Sequence, residues 1–370
     1  MKPIRILQCF TIMNRGGAET MIMNYYRNID RNKVQFDFLV HREEKGAYED
    51  EIKSLGGRIY RMPNIHPKNF SIYKKEIAKF LNEHKEYKII HGNFSELGYF
   101  LYKEAKKQGV PTRIVHAHNY STVFDAKSIF RFYWKHAMRP YVSHMFTCSN
   151  IAAEWLFGKK ESKKAIMMNN AIDSKKFSYS EEKSKAMKKE LGVENKFVIG
   201  HVGRFNIQKN HEFVIDIFNE IKKQNNDSVL LLAGAGELEN KIKEKVKELN
   251  LEDSVLFLGS RSDINDVMQA FDIFVFPSIF EGLGVVLIEA QAAGLRCFTS
   301  EGAVPLEAKV TNLLSYLPLD KGSKYWADEI LKYRHEYYRS DTSQEIIKND
   351  FDINKNAKWL EEFYLNEYNK

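Results

Sequence analysis

Short apolar runs of β character alternate with helical patterns along nearly the whole chain, and this alternation limits the fold more than any other feature. "IRILQCF" (4–10) is followed by the helix-like "AETMIMNYYRNI", then "VQFDFLV", a helix, "GRIYRM", a helix and "YKIIHG". After another helix come "TRIVHA", "SHMFTCS" and "KAIMMNN". Strands separated by helices imply βαβ units and a parallel sheet with helices on both faces. Near Asp173 the pattern gives way to the charged segment "DSKKFSYSEEKSKAMKKELGVENK", which reads as an interdomain connection. Alternation then resumes through "FVIGHVG", "SVLLLAGAG", "SVLFLG", "FDIFVFPS" and "RCFTS", and from Lys324 the chain reads as helical. The expected architecture is α/β: two doubly wound parallel-sheet domains facing across a cleft. Ligands in such sheets bind beyond the carboxyl ends of the strands, so residues just after strands are the ones to inspect.

Composition narrows the class. The 370 residues are 44% hydrophobic, enough for two sizeable cores. No stretch approaches the roughly 18 uninterrupted apolar residues of a membrane span, and the N-terminus lacks the features of a signal peptide. A soluble, cytoplasmic protein is expected. Cys9, Cys148 and Cys297 each lie in or beside apolar runs without metal-ligand spacing, as buried reduced thiols do. The net charge of +7 is uneven: residues 1–165 carry 29 Lys+Arg against 16 Asp+Glu, and the remainder carries 27 against 33. The basic half fits an anionic membrane surface, a phosphorylated acceptor or merely a solvated lysine-rich face. No nucleic-acid-binding motif accompanies it, so no nucleic-acid partner is expected.

Several strand ends carry chemistry. Gly16 and Gly17, in "MNRGGAET", sit where the first strand turns into a helix; paired glycines allow close backbone approach, and the helix start offers N–H donors. In the second half "VGRFNIQKNHEF" places Gly203 at a strand end, with Arg204 and Lys209 bracketing the turn before a helix that begins near Asn210. Two cations at a helix start oppose the usual dipole preference unless an anion lies between them. In "FPSIFEGLGVVLIEAQAAG", Gly282 and Gly284 keep Glu281 on a loop, and a helix begins around Leu283 to Val285. Glu289 falls about one turn in, where burial of a carboxylate demands a partner: an internal ion pair or the two hydroxyls of a diol. Strand alternation in "PTRIVHAHNYS" puts Ile114, His116 and His118 on one face, with His118 nearest the strand end. His91 ends another strand. Asp350 and Asp352, in "NDFDIN", follow no strand and read as a helix cap rather than a metal pair.

Taken in order, "GGAE", "HAHN", "NNAID", "GRFNIQKN", "AGAGE" and "FEGLGVVLIEAQAAG" resemble the glycosyltransferases of family 4, which have the two-domain GT-B fold. The resemblance spans nearly the whole chain, and its strongest element is E-x7-E, Glu281 with Glu289. It implies two Rossmann-like domains, an acceptor domain at 1–175 and a donor domain at 176–350, with a C-terminal helix at 351–370 crossing back to the first. It further implies a retaining, metal-independent hexosyl- or N-acetylhexosaminyltransferase of bacterial capsule or exopolysaccharide synthesis. No cofactor is implied; the nucleotide sugar, with UDP favoured, is a substrate. By the same resemblance Arg204 and Lys209 hold the diphosphate, approached by amides near Gly17. Glu289 accepts from the ribose, Glu281 contacts the transferred sugar, and His118 orients it. Amides of Leu283, Gly284 and Val285 contact sugar hydroxyls or phosphate, while Gly234 and Arg261 lie near the diphosphate and base. The implied acceptor is a saccharide or a lipid-diphosphate-linked saccharide, which fits peripheral residence on the inner face of the cell membrane. Asn170–Ala171, where many relatives have Asn-Gly, and Val286, where a Pro is frequent, depart from the pattern. Competing readings are a nucleotide-sugar epimerase of the same architecture and a non-catalytic partner of another glycosyltransferase.

Overall fold

The computed structural model describes residues 2–66, 69–94, 98–118, 126–335 and 337–370, without the side chains of residues 126–131. The chain divides into two compact units, Met1–Ile172 with Asp350–Lys370, and Asp173–Asn349.

Among the described residues seven parallel strands form the sheet of the first unit: β1 (Ile4–Phe10), β2 (Val34–Val40), β3 (Ile59–Arg61), β4 (Ile89–Gly92), β5 (Thr112–Ala117), β6 (His144–Thr147) and β7 (Ile166–Met167), in the order β3-β2-β1-β4-β5-β6-β7. β1 pairs with both β2 and β4, Ile6 standing beside Phe36 on one side and Ile89 on the other. Such strands are buried on both faces and read as near-continuous apolar runs; every residue of β2 is buried. One face packs Ile6, Phe36 and Phe38 against Ile22, Tyr25 and Tyr26 of the helix Gly17–Asn28. The other packs Leu7, Cys9 and Ile90 against Tyr73 and Ile77. The last helix, Ile353–Tyr368, buries Ile353, Ala357, Leu360 and Tyr364, a stripe at helical spacing. It lies against the helix Gly17–Asn28 and strands β1, β2 and β4.

The second unit holds six parallel strands: β8 (Phe197–Val202), β9 (Ser228–Ala233), β10 (Val255–Gly259), β11 (Ile273–Phe276), β12 (Arg296–Ser300) and β13 (Leu314–Leu317), in the order β10-β9-β8-β11-β12-β13. Chain order reverses between β8 and β11, which makes their carboxyl ends the switch point of this sheet. Ile199, Leu230, Ile273 and Phe298 pack with Val214, Phe218 and Trp326 in its core.

Two features correct the sequence reading. β13 was not foreseen. The segment after Lys324 is not continuously helical: the helix Gly322–Leu331 stops, and helices resume only at Ser343–Lys348 and Ile353–Tyr368. Between them Arg339, a half-buried cation, donates to the carbonyls of Gln269, Phe271 and Ala293 at 2.6–3.1 Å and stacks on Tyr179. Burial pulls its pKa down to about 10. Arg339→Ala would leave three carbonyls without this donor, so thermal or urea unfolding should report a loss of about 3 kcal/mol. A loss below about 0.5 kcal/mol would contradict that role. Asp352 caps the last helix through the amides of Asn354 and Lys355, while Asp350 pairs with Lys355. Cys9, Cys148 and Cys297 are all buried. Among the described residues no helix is long and apolar enough to cross a membrane, and no three His, Cys, Asp or Glu side chains gather as a metal would require.

Candidate functional site

At the carboxyl end of β8 the backbone closes on that of β9. Gly203 N–H donates to Ala233 O and Gly234 N–H to Gly259 O, at 2.9 and 2.8 Å. Gly234 has φ +149°, and a Cβ there would stand 2.0 Å from Gly203 O. No other residue type fits that approach. Beyond Arg204 the chain makes a single tight turn, Ile207–Lys209, capped by Asn206, whose side chain accepts from Lys209 N–H. The following loop is tied to the end of β11: Gln208 Nε2 donates to Phe280 O, Ile279 N–H to Gln208 O, and Asn210 Nδ2 to Pro277 O. These bonds bring Lys209 over the Phe276 ring, 4.5 Å from its centroid, and its Nζ to 2.5 Å from Glu281 Oε1. Glu281 is 5% exposed. The Arg204 guanidinium is exposed, 3.5 Å from Glu237.

After β11 the chain enters the helix Val285–Ala292 through Gly284, at φ +80° and ψ 60°, with no side-chain cap. A helix start leaves about four N–H groups without intrahelical partners. Among the described residues nothing accepts from the N–H groups of Leu283, Gly284, Val285 or Val286. The end of β11 therefore presents uncapped amides and their partial positive charge. The helix itself is held in place by Leu287, Ile288, Ala290 and Ala292 in the core. Gln291 pins it further: its Oε1 accepts from the amides of Val310 and Thr311, and its Nε2 donates to Leu287 O and Ala308 O.

Glu289 lies on this helix without a hydrogen-bond partner among the described residues, so the internal ion pair weighed from sequence does not form there. Burial pushes its pKa up to about 7, with Lys176 opposing. The folded chain thus binds this proton more tightly than the unfolded one. Its contribution to stability is present at low pH and lost as pH rises through about 7. Glu289→Gln is expected to raise the melting temperature of the ligand-free protein at pH 8 and to raise it less at pH 5. Thermal unfolding at the two pH values checks this, and a gain that is equal at both would contradict the half-buried, unpaired carboxylate.

Two histidines behind Lys209 carried no signal that the sequence reading used. His201, on β8, donates from Nδ1 to Val275 O at 2.8 Å, and His211 stacks on Phe205. Burial holds both neutral, with pKa values lowered to about 4 and about 2. A polar residue in the middle of "FVIGHVG" was the available hint. Arg261 lies beyond β10 and forks onto Asp263 at 2.8 and 2.5 Å, with Glu190 at 3.7 Å.

In the first unit Gly16 is the uncapped N-cap of the helix Gly17–Asn28, and a Cβ on Gly17 would meet open space. Protein packing does not demand glycine at 17. Glu19, two residues on, is a carboxyl that the sequence reading passed over; burial raises its pKa to about 7. His118 follows β5, and its Nε2 is 2.8 Å from Asn93 Oδ1. Burial lowers its pKa to about 3. Asn119 of "HAHN" lies outside the described residues. Ala171 is packed in the core, its carbonyl accepting from Asn24, while buried Asn170 Oδ1 has no partner among the described residues.

Comparison with known proteins matches both units. Residues 15–176 fit the family described as "Glycosyltransferase Family 4", and residues 182–315 fit "Glycosyl transferases group 1". EpsF of Bacillus subtilis (strain 168), which carries a glycosyltransferase name, is 35% identical over 334 residues, 89% of this chain and 87% of EpsF. The chain belongs to the family 4 glycosyltransferases. The capsular polysaccharide biosynthesis glycosyltransferase CapH of Staphylococcus aureus aligns at 26% identity over 98% of this chain and 99% of CapH. The Escherichia coli UDP-Gal:alpha-D-GlcNAc-diphosphoundecaprenol alpha-1,3-galactosyltransferase is 29% identical over 72% of each chain. Among solved structures, Anabaena Alr3699/HepE in complex with UDP and glucose superposes with TM-score 0.81 at 18% identity, covering 98% of this chain and all of that one. The two parallel sheets are the GT-B fold.

Proposed function

We propose that this glycosyltransferase moves a sugar from a UDP-sugar to a saccharide or lipid-diphosphate-linked saccharide in bacterial surface polysaccharide synthesis, with retention of anomeric configuration. One observation carries the reading: among the described residues an unpartnered carboxyl, Glu289, lies about one turn after a helix start with free amides, on the same loop-helix segment as Glu281, which pairs with Lys209. Ribose hydroxyls satisfy the carboxyl, and a diphosphate satisfies the amides and cations. The name of the E. coli relative includes UDP-Gal and a diphosphoundecaprenol acceptor, which supports the same choice of substrates.

In this reading Arg204 and Lys209 hold the diphosphate, with the amides of Leu283, Gly284 and Val285 on its oxygens or on sugar hydroxyls. Gly203 and Gly234 let the backbone approach it, and Arg261 serves the base side. The bond from the anomeric carbon to the phosphate oxygen breaks with its electron pair going to the diphosphate. Negative charge then develops where donors already stand, so little reorganisation is required. The acceptor hydroxyl bonds to the anomeric carbon on the face the diphosphate leaves, and its proton passes to a phosphate oxygen. Glu281, Lys209's partner, contacts the sugar; in the first unit His118 and the amides beside Gly16 and Gly17 are the groups assigned to ligand binding. The transfer calls for no metal in this reading.

A panel of nucleotide sugars, assayed for nucleotide release with lipid-diphosphate saccharide acceptors, tests the reading. Acceptor-dependent UDP release is expected. Isomerisation of the donor without acceptor, or no turnover with any donor, would contradict it.

The same reading includes peripheral contact with an anionic membrane on its inner face. Phe132 and Tyr133 stand 62% and 63% exposed on the helix Ala126–Met138, beside Lys135. Co-sedimentation with anionic vesicles should fall as salt rises, and Phe132→Ser with Tyr133→Ser should weaken it. No sedimentation at low salt would remove the membrane contact.

A further inference from the structure

A chain of buried hydrogen bonds in the first unit has its direction fixed at one backbone carbonyl. His91 O can only accept, so Asn93, 3.2 Å away, presents its Nδ2 there. The same Nδ2 donates to Gln8 Oε1 at 3.1 Å, which leaves Gln8 Nε2 to donate to Tyr364 Oη at 3.0 Å. Tyr364 is wholly buried, and its hydroxyl proton then has His91 Nδ1 as acceptor, at 2.7 Å. Burial lowers the His91 pKa to about 3, so the ring is neutral and its remaining proton is on Nε2. That proton points to His116 Nδ1 at 3.2 Å, and neutral His116 must carry its own on Nε2. On the other branch Asn93 Oδ1 accepts, so His118 donates from Nε2 and keeps a bare lone pair on Nδ1.

The network therefore ends in a donor, His116 Nε2–H, and an acceptor, His118 Nδ1. Both atoms are buried and without a partner among the described residues, and the two ring centroids are 3.9 Å apart. Buried polar groups in native proteins are nearly always paired, so two orphans of opposite polarity side by side call for a ligand that supplies both. Hydroxyls donate and accept, and a sugar carries several.

We propose that Tyr364, acting through His91, is a positioning residue that fixes His116 as the Nε2–H tautomer, so that the end of β5 offers a donor from His116 beside an acceptor from His118 to a hydroxyl-bearing ligand. The identity of that ligand as a sugar rests on the proposed transfer activity; the tautomers do not. The last helix, 273 residues from His91 in sequence, thereby takes part in the site.

Nitrogen-15 spectra of the histidine-labelled full chain distinguish the two neutral tautomers without any variant. His91, His116 and His118 are all expected as Nε2–H. Tyr364→Phe is expected to release His91 and His116 into a mixture and to leave His118, which Asn93 holds. It should lower kcat about tenfold, with KM for the donor changed less than about twofold. In His91→Gln the amide oxygen can accept from Tyr364 and the amide nitrogen can donate to His116, so this variant should retain both tautomer and rate. An Nδ1–H tautomer at His116 in the unsubstituted chain would overturn the proposal. So would a Tyr364→Phe variant with His116 unchanged, or one with wild-type kcat. Absence of transfer from every nucleotide sugar would contradict the proposed function instead, and the spectra would still decide the relay.

Discussion

Lys209→Ala is expected to lower kcat about a thousandfold while leaving the chain folded. Removing one preorganised group from a site of developing negative charge costs about 10²–10³ in rate, and here the ammonium does two things. It supplies positive charge between the end of β8 and the uncapped helix start, and it balances the buried Glu281 carboxylate at 2.5 Å. Stability should fall by about 1–3 kcal/mol, the cost of leaving a buried polar group without its partner. Circular dichroism and urea unfolding separate that loss from the catalytic one. Glu281→Gln keeps an acceptor for Lys209 and should be the milder change in stability. Turnover by Lys209→Ala at the wild-type rate would show that the diphosphate is held elsewhere.

Gly234→Ala should be the most damaging single methyl in the second unit. The new Cβ would stand 2.0 Å from Gly203 O, against backbone that cannot rotate away, at a φ of +149°. Strain and clash together should cost about 3 kcal/mol or more. Any chain that still folds must part the ends of β8 and β9 and move Arg204 with them, so UDP affinity should fall too. Gly17→Ala provides the contrast. Its Cβ meets open space at a helix start, so stability should change by less than about 0.5 kcal/mol. A loss of activity in Gly17→Ala would thus report the approach of a ligand, not a packing defect. Equal unfolding midpoints for Gly234→Ala and wild type would contradict the close approach of the two strand ends.

Much of this was legible in the sequence because buried parallel strands and amphipathic helices differ in length and period. β2 is "VQFDFLV", apolar enough to mark itself. β13, "LSYL", is four residues at the sheet edge, half-buried in the middle, and its pattern is too short to separate from a loop. The break after Leu331 was hidden for another reason. Arg339 and Tyr337 are tied to carbonyls at Ala293 and Gly294, and nothing local to "RHEYYRSD" indicates so distant a partner. The site divides in the same way. Glu281 and Glu289 stand eight residues apart in one segment, and their strangeness among apolar neighbours is visible in the string. The Lys209–Glu281 pair is not, because it depends on the loops after β8 and β11 being stitched together by Gln208 and Asn210. Least legible is the histidine relay, whose members come from β1, β4, β5 and the last helix and carry no common spacing.

The most direct test of the donor site is a crystal structure of the full chain with UDP. The diphosphate is expected within about 2.7–3.2 Å of the amides at the start of the helix Val285–Ala292 and of Lys209 Nζ, with Glu289 accepting from the ribose hydroxyls. A diphosphate bound away from these amides, or a ribose that does not touch Glu289, would contradict the account.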